Sequence, residues 1–355
     1  MAVELSIIVP IYNEEEQIPC LLTDLIRQQQ VEFELLLVDG GSRDGGLACA
    51  NERREQLPYP LRIIEAEKGR GRQLNTGATA ASADWLLFLH VDSRFDDPLA
   101  LRKGMDRLSA NGTDCAGHFS LRFRRSQHGA EFGYYFHEWK ARLGRPECIH
   151  GDQGMLLRRD LFDRVGPFRT DLPVMEDTDF AERLRQQHGW LLLPEQISTS
   201  ARRFEREGFK QRQFVSALIM NFRNADWIDF FSGDHPVYLS HTESGRLQLL
   251  PFLQQVRQRL SRQSPADRRE LWARSGHYVR SHAWQLFFFL DAKRAFRRGR
   301  GPGQGRLFWL RLLEPGFTLL TDNPLGRALA TILLRIWFWW TCLIVRWRER
   351  RDVSV

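Results

Sequence analysis

Cysteine is sparse in this chain of 355 residues, and none of Cys20, Cys49, Cys115, Cys148 and Cys342 stands at CxxC or Cys/His ligand spacing. An odd, scattered set argues against a disulfide framework or a zinc site and points to reduced cytosolic thiols. No charged leader with a cleavage site precedes the first apolar run, Leu5-Ser6-Ile7-Ile8-Val9, so secretion is not expected. No internal repeat is visible. No recognised nucleic-acid readout module accompanies the formal net charge of +7, and no nucleic-acid partner is expected. What is present is a composition of 43% hydrophobic and 27% charged residues, sufficient for a packed core. The length suits one catalytic domain plus an addition. The positive excess is uneven: the C-terminal third is rich in Arg and Trp, which suits an anionic surface.

The first half alternates strand and helix patterns. Strands are expected at Glu4–Ile11, Glu34–Val38, Leu61–Ala66 and Trp85–Val91, with helices starting near Glu14, Asp44, Gly71 and Asp97 between and after them. Such repetition implies an α/β fold with a mostly parallel central sheet flanked by helices. The order then loosens into a strand near Cys115–Phe123, an aromatic helix near Glu131–Leu143, a short strand at Met155–Arg158 and a helix at Met175–Gln187. The alternation stops near Asp234. This divides the chain into an expected catalytic domain, 1–234, and a helical, basic and aromatic region, 235–355.

Five motifs sit in order along the first part. Pro10-Ile11-Tyr12-Asn13-Glu14 follows strand one, where a proline ends the ladder and polar groups face the sheet edge. Leu35-Leu36-Leu37-Val38-Asp39 is an apolar run ending in an acid and then Gly40-Gly41-Ser42; an aspartate there can accept hydrogen bonds from a base or ribose. Glu67-Lys68-Gly69-Arg70-Gly71-Arg72-Gln73-Leu74-Asn75 is a short basic, glycine-rich loop opening a helix, which suits a diphosphate. Leu87-Phe88-Leu89-His90-Val91-Asp92-Ser93 delivers a second acid to the carboxyl edge of a sheet, where ligands of open α/β sheets bind. Glu176-Asp177-Thr178-Asp179 places acids at a helix start. Each has a plainer alternative: Asp39 and Asp92 as helix caps, the basic loop as a solvated turn, the acidic cluster as a complement to a helix dipole.

Taken together, these motifs resemble the family-2 glycosyltransferases of the GT-A fold. A bacterial subfamily with His-Ala-Asp-Thr, Gly-Asp-Gln-Gly and Arg-Arg-Trp motifs is similar still: this chain has His90-Val91-Asp92-Ser93, Gly151-Asp152-Gln153-Gly154 and Arg202-Arg203-Phe204. Its members are often associated with arsenosugar pathways through gene neighbourhood, which says little about this chain's acceptor. The resemblance implies a nucleotide-diphosphate sugar donor, a UDP-sugar foremost, and a hydroxyl acceptor glycosylated with inversion. It implies that Asp39 meets the nucleobase with Pro10, Tyr12 and Glu14 beside it, and that Lys68, Arg70 and Arg72 serve the diphosphate. Asp92 falls at the metal-binding position, implying Mg²⁺ or Mn²⁺, and Asp177, with Glu176 beside it, at the catalytic one. The chain departs from the family's Asp-x-Asp by carrying Arg94 in place of the second acid. Asp152 and Gln153 either shape an acceptor pocket or form a turn, and Arg202 and Arg203 either bind acceptor or diphosphate or pair with surface acids.

Ala328–Val345 is almost wholly apolar and just long enough for a marginal membrane crossing, but Arg335 lies in its middle. Arg327, Thr331, Arg335, Cys342 and Arg346 fall near one helical stripe, which fits a helix lying in the headgroup zone, with Arg348, Arg350 and Arg351 beyond it; the plainer alternative is a buried helix packing on the catalytic domain or on a second subunit. A membrane surface is thus expected to meet residues 284–351, at the cytoplasmic face of a bacterial inner membrane, and a lipid-linked acceptor would fit. Competing readings are nucleotidyl transfer to a sugar phosphate, disfavoured because no Gly-rich loop directly follows strand one, and a non-catalytic membrane-bound scaffold.

Overall fold

The computed structural model describes residues 3–112, 114–172, 174–227, 230 and 245–352, with side chains for all of these except 146 and 348–352. The division expected near residue 235 therefore lies outside the described residues, as do the side chains of Arg348, Arg350 and Arg351. The chain forms two compact units, Met1–Arg125 with His137–Ala201, and Ser126–Phe136 with Arg202–Val355.

The first unit is built on a mixed sheet of eight strands: β1 Leu5–Ile11, β2 Phe33–Asp39, β3 Leu61–Glu65, β4 Trp85–Phe88, β5 Arg94–Phe95, β6 Cys115–Arg124, β7 Met155–Arg158 and β8 Gly189–Ser200. Their order is β3-β2-β1-β4-β7-β6-β8-β5. The first four neighbours run parallel, and β7 is antiparallel to β4. Every residue of β2 is buried, as expected of a strand covered on both faces. Helices α1 Ile18–Leu25, α2 Gly46–Arg53, α3 Arg70–Ala80 and α4 Ala100–Ser109 supply the covering, and α6 Arg159–Val165 and α7 Glu176–Gln187 follow α5, Glu131–Lys140. Ile8, Leu36, Val38 and Leu86 pack with Leu74, Phe168 and Phe180 in one core cluster.

Topology decides where a ligand goes. From β1 the chain winds one way, to β2 and β3, and then returns to place β4 on the other side of β1. The crevice at the carboxyl ends of β1 and β4 is therefore a switch point, where loops diverge and leave room. β4 stops at Phe88, short of the expected Val91: Leu89 N–H still bonds the Ile8 carbonyl, but Ser93 N–H closes a turn onto His90. His90 and Asp92 thus stand in a loop at the edge instead of alternating along a strand.

The second unit gathers helices α8 Arg202–Glu207, α9 Phe209–Asn224, α10 Leu249–Arg262, α11 Pro265–Ser281, α12 Trp284–Arg297, α13 Phe308–Thr321 and α14 Pro324–Asp352. Residues 126–136 belong with them: Phe132 stacks edge-on to Phe289 and Phe296, and Phe136 packs on Phe288. By length and composition Pro324–Trp347 is long and apolar enough to cross a membrane.

Candidate active site

A small hollow opens at the switch point, lined by Pro10 from β1, His90 after β4, Arg70 and Leu74 from α3, Gly151, and Asp177 from α7. Five segments far apart in sequence converge there. Asp177 holds the arrangement: its Oδ2 accepts the Gly151 N–H at 2.7 Å and its Oδ1 the Thr178 N–H at 2.7 Å. A Cβ at Gly151 would stand 2.8 Å from His90 Nε2 and 3.0 Å from Asp177 Oδ2, so any larger residue would displace one of these side chains. His150 Nδ1 lies 3.0 Å from Thr178 Oγ1 and ties the same turn to α7.

The electrostatics separate the acids. Burial alone would lift the Asp177 carboxyl, but Arg70, His150 and the Gly151 N–H together hold it below the ordinary range. Asp152 takes the opposite course: burial, and then the charges of Asp177 and Asp92, push it up to about 7, and its Oδ1 is buried with no hydrogen-bond partner. Glu176 is buried and raised, by desolvation first and by Asp177, although Arg70 Nη1 lies 3.4 Å from its Oε1. Burial and then the Arg70 charge drive His90 down to about 4, against the pull of Asp92 and Asp177, so its imidazole is neutral at neutral pH. Arg70 is the one cation that acts on Glu176, Asp177, Asp152 and His90 alike.

The other expected donor-side residues line the edge. Tyr12 is 38% exposed, with Lys68 Nζ 3.8 Å from its ring centroid. Arg72 lies 3.5 Å from Glu67 on the exposed loop. The Glu14 carbonyl accepts the first amides of the α1 turn. Asp39 turns its carboxylate into its own loop, accepting from Gly41 N–H, Ser42 N–H and Ser42 Oγ. Asp92 Oδ2 accepts from Thr199 Oγ1 and Ser200 N–H at the end of β8. Arg94 points its guanidinium at the carbonyls of Val91, Ser93 and Gln17, so it anchors backbone and does not replace the missing acid at the crevice. Among the described residues no group of three or more His, Cys, Asp or Glu side chains is placed to hold a metal ion.

Gln153 is fully buried and donates to the Cys148 carbonyl. Arg202 and Arg203 open α8 in the second unit, where Arg203 Nε lies 3.0 Å from the buried Glu207. Sequence reasoning gave no separate role to three organisers of the edge. Gln73 bridges β1 and β2 by donating to the Ile11 and Val38 carbonyls at 2.8 Å. Asn13, at φ 54°, accepts the Arg43 N–H and donates its own to Ser42 Oγ, and Glu15 accepts the Gly45 N–H. These lock the loop after β1 to the loop after β2. A polar residue just past a strand end was the available signal.

Known proteins bear on this arrangement. Residues 6–166 match the profile described as Glycosyl transferase family 2. An uncharacterised glycosyltransferase of Haemophilus influenzae is 28% identical over 194 residues, 52% of this chain and 62% of that protein, so the match leaves over a third of that relative uncovered. A PGL/p-HBAD biosynthesis glycosyltransferase of Mycobacterium bovis is 31% identical over 182 residues, 49% of this chain and 67% of that one. The Staphylococcus aureus TarS fragment 1–349, solved in complex with UDP-GlcNAc, superposes with a TM-score of 0.50 at 16% identity, over 84% of this chain and 93% of that one, and shows the shared GT-A fold. Profile, mycobacterial relative and fold agree with the switch-point crevice: the chain belongs to glycosyl transferase family 2.

Proposed function

We propose that this chain moves a sugar from a nucleotide-diphosphate donor, a UDP-sugar foremost, to a hydroxyl acceptor with inversion. The observation that carries the proposal is the convergence of Arg70, His90 and Asp177 on one hollow at the switch point, with Asp152 within reach of the charges of Asp177 and Arg70. In a single displacement the acceptor oxygen bonds the anomeric carbon while the bond from that carbon to the diphosphate oxygen breaks, its electron pair leaving with the nucleoside diphosphate. The acceptor proton goes to Asp177, which is ionised and so able to accept it. Arg70, with Lys68 and Arg72, offsets the charge growing on the leaving group. Asp152 keeps its proton up to about pH 7 and so donates a hydrogen bond to a sugar hydroxyl. Glu176 holds Arg70 in place. Pro10, Tyr12, Glu14 and Asp39 form the base side, where Asp39 shapes its loop from within.

A divalent cation, Mg²⁺ or Mn²⁺, fits this edge only if it is held chiefly by diphosphate oxygens and water, with Asp92 as its protein carboxylate and neutral His90 nearby. Bound there it would add positive charge at the leaving diphosphate. Asp152, Gln153, Arg202 and Arg203 are our candidates for acceptor binding. We assign catalysis to 1–234 and membrane association, at the cytoplasmic face, to 235–355, which favours a lipid-linked acceptor. Within the family we place the chain in the bacterial subfamily with the Gly-Asp-Gln-Gly motif.

The test is a screen of nucleotide-diphosphate sugars for slow donor hydrolysis and transfer. Asp177→Asn should bind donor yet lose transfer by about 10²–10⁴-fold, whereas Asp92→Ala should weaken donor use. Equal activity of both variants and the wild type would refute the assignment. Pyrophosphate release from a nucleoside triphosphate would instead favour nucleotidyl transfer, and nucleotide binding without any donor cleavage a non-catalytic scaffold.

A further inference from the structure

Large apolar side chains exposed on this chain are concentrated in three helices. In the first unit, among the described residues, only Tyr12 and Ile26 belong to that class. In the second unit, α12, α13 and α14 carry almost all of the rest. On α14 they form one stripe: Leu325, Leu329, Ile332, Ile336, Trp340 and Leu343 recur at spacings of three and four, and all are more than half exposed. The opposite side of α14 is already occupied. Phe338 packs on Trp272 of α11 at 5.5 Å between ring centroids, and Cys342 is buried. A Cβ on Gly276 of α11 would lie 2.7 Å from Thr331 N and Cα, so the two helices meet backbone to backbone. Thr331 and Cys342, read from sequence as part of a polar stripe, in fact belong to this packed side. Arg335 and Arg346 fall on the flank between the packed side and the apolar stripe, where long cationic side chains can reach headgroups while their stems lie along lipid.

Two further observations say what covers the stripe. The turn between α13 and α14 presents Leu319, Leu320 and Leu325 at 83%, 77% and 80% exposure. The acid in their midst, Asp322, is neutralised from two sides, by Arg280 at 3.1 Å and Arg327 at 2.9 Å. An apolar tip whose only carboxylate is paired suits a medium of low dielectric. Beside it, α12 passes from exposed Leu286, Phe289 and Leu290 to exposed Arg294, Arg297 and Arg298, an apolar surface bordered by cations as an anionic leaflet requires.

Length alone would let Pro324–Trp347 cross a bilayer. Its neighbour forbids it. Between Thr331 and Phe338 the helix is packed on α11, whose outer side bears exposed Arg269, Glu270 and Arg274. A crossing would drag those charges into hydrocarbon or strip α14 from its partner.

We propose that α12, α13 and α14 dock in the plane of a single leaflet, apolar stripe inward, with the Leu319–Leu325 tip deepest and both chain ends on the same side of the membrane. This deepens the membrane part of the reading above and does not depend on its chemistry. The test uses the full chain. Flotation is measured with vesicles of phosphatidylcholine alone and of phosphatidylcholine with 30% phosphatidylglycerol (roughly the charge density of an anionic leaflet). The variant Leu319→Ser/Leu320→Ser/Leu325→Ser should lower the bound fraction at least about tenfold on both vesicles. Arg294→Gln/Arg297→Gln/Arg298→Gln should lower it on the anionic vesicles only. Circular dichroism and donor hydrolysis on the same preparations show whether the variants fold, and whether the catalytic reading fails separately. In right-side-out and inverted vesicles, protease should reach an N-terminal and a C-terminal tag from the same side. Tags on opposite sides overturn the proposal in favour of a spanning helix. A detergent-free dimer that ignores vesicles overturns it in favour of a second copy of the chain covering the stripe.

Discussion

Replacing Asp152 by asparagine separates the charge of the buried turn from its shape. In the folded protein this carboxyl holds its proton to about 7, against an ordinary value of 3.8. Below the ordinary value folded and unfolded chains are both protonated, and the group has no effect on the balance. Between the two values the unfolded chain has released the proton and the folded one has not, so wild-type stability falls as pH rises through that window. Above pH 7 the loss is complete and amounts to about 4 kcal/mol at most. Asparagine has no proton to lose. Whatever the fixed effect of the substitution, the stability of Asp152→Asn relative to wild type should therefore rise by about 2–3 kcal/mol between pH 5 and pH 8. Urea titrations with hydrogen exchange read in peptides over β4 and β7, with chelator present and no nucleotide, report the first unit alone. A gap that stays constant from pH 5 to pH 8 would show that Asp152 ionises normally, and that the effect of burial and of the Asp177 and Asp92 charges on it has been misread.

Gly151→Ala puts a methyl against His90 and Asp177; transfer should drop at least about tenfold while the fold loses only about 1–3 kcal/mol, read as kcat against the urea midpoint. Gln73→Leu strips hydrogen bonds from the Ile11 and Val38 carbonyls. It should cost about 2–4 kcal/mol, seen as faster hydrogen exchange at the ends of β1 and β2. Unchanged exchange there would mean the amide bridge does not hold the edge together.

Much of the edge was legible because strand-end residues announce themselves. Asp39 follows an unbroken apolar run and Asp92 one interrupted only by His90, and both stand at the carboxyl edge. What they do there was not legible, since Asp39 turning into its own loop depends on the local path of Gly41 and Ser42. Lys68, Arg70 and Arg72 look alike in sequence, yet only Arg70 reaches Glu176, because the helix phase of α3 points it inward. Strand β8 escaped notice for a physical reason: its register against β6 shifts between Phe119 and Ser120, Pro194 and Glu195 are passed over, and the Ser120 hydroxyl donates to their carbonyls. Such a bulge erases the alternation that marks a strand. Trp284–Leu290 is strongly apolar, and the residues that follow it are basic. They are one helix, α12, whose apolar and cationic parts follow each other along its length.

The chain passes between its two units three times, because residues 126–136 are counted with the later helices and 137–201 with the earlier strands. The ribosome therefore delivers Phe132 and Phe136 long before the partners they need, Phe288, Phe289 and Phe296. During synthesis that aromatic segment must wait, uncovered, for more than a hundred further residues, and chaperone binding or aggregation is most expected there. Trimming the protein back to its early half would make that waiting permanent, so a soluble catalytic fragment calls for polar replacements at Phe132 and Phe136 as well as a new terminus.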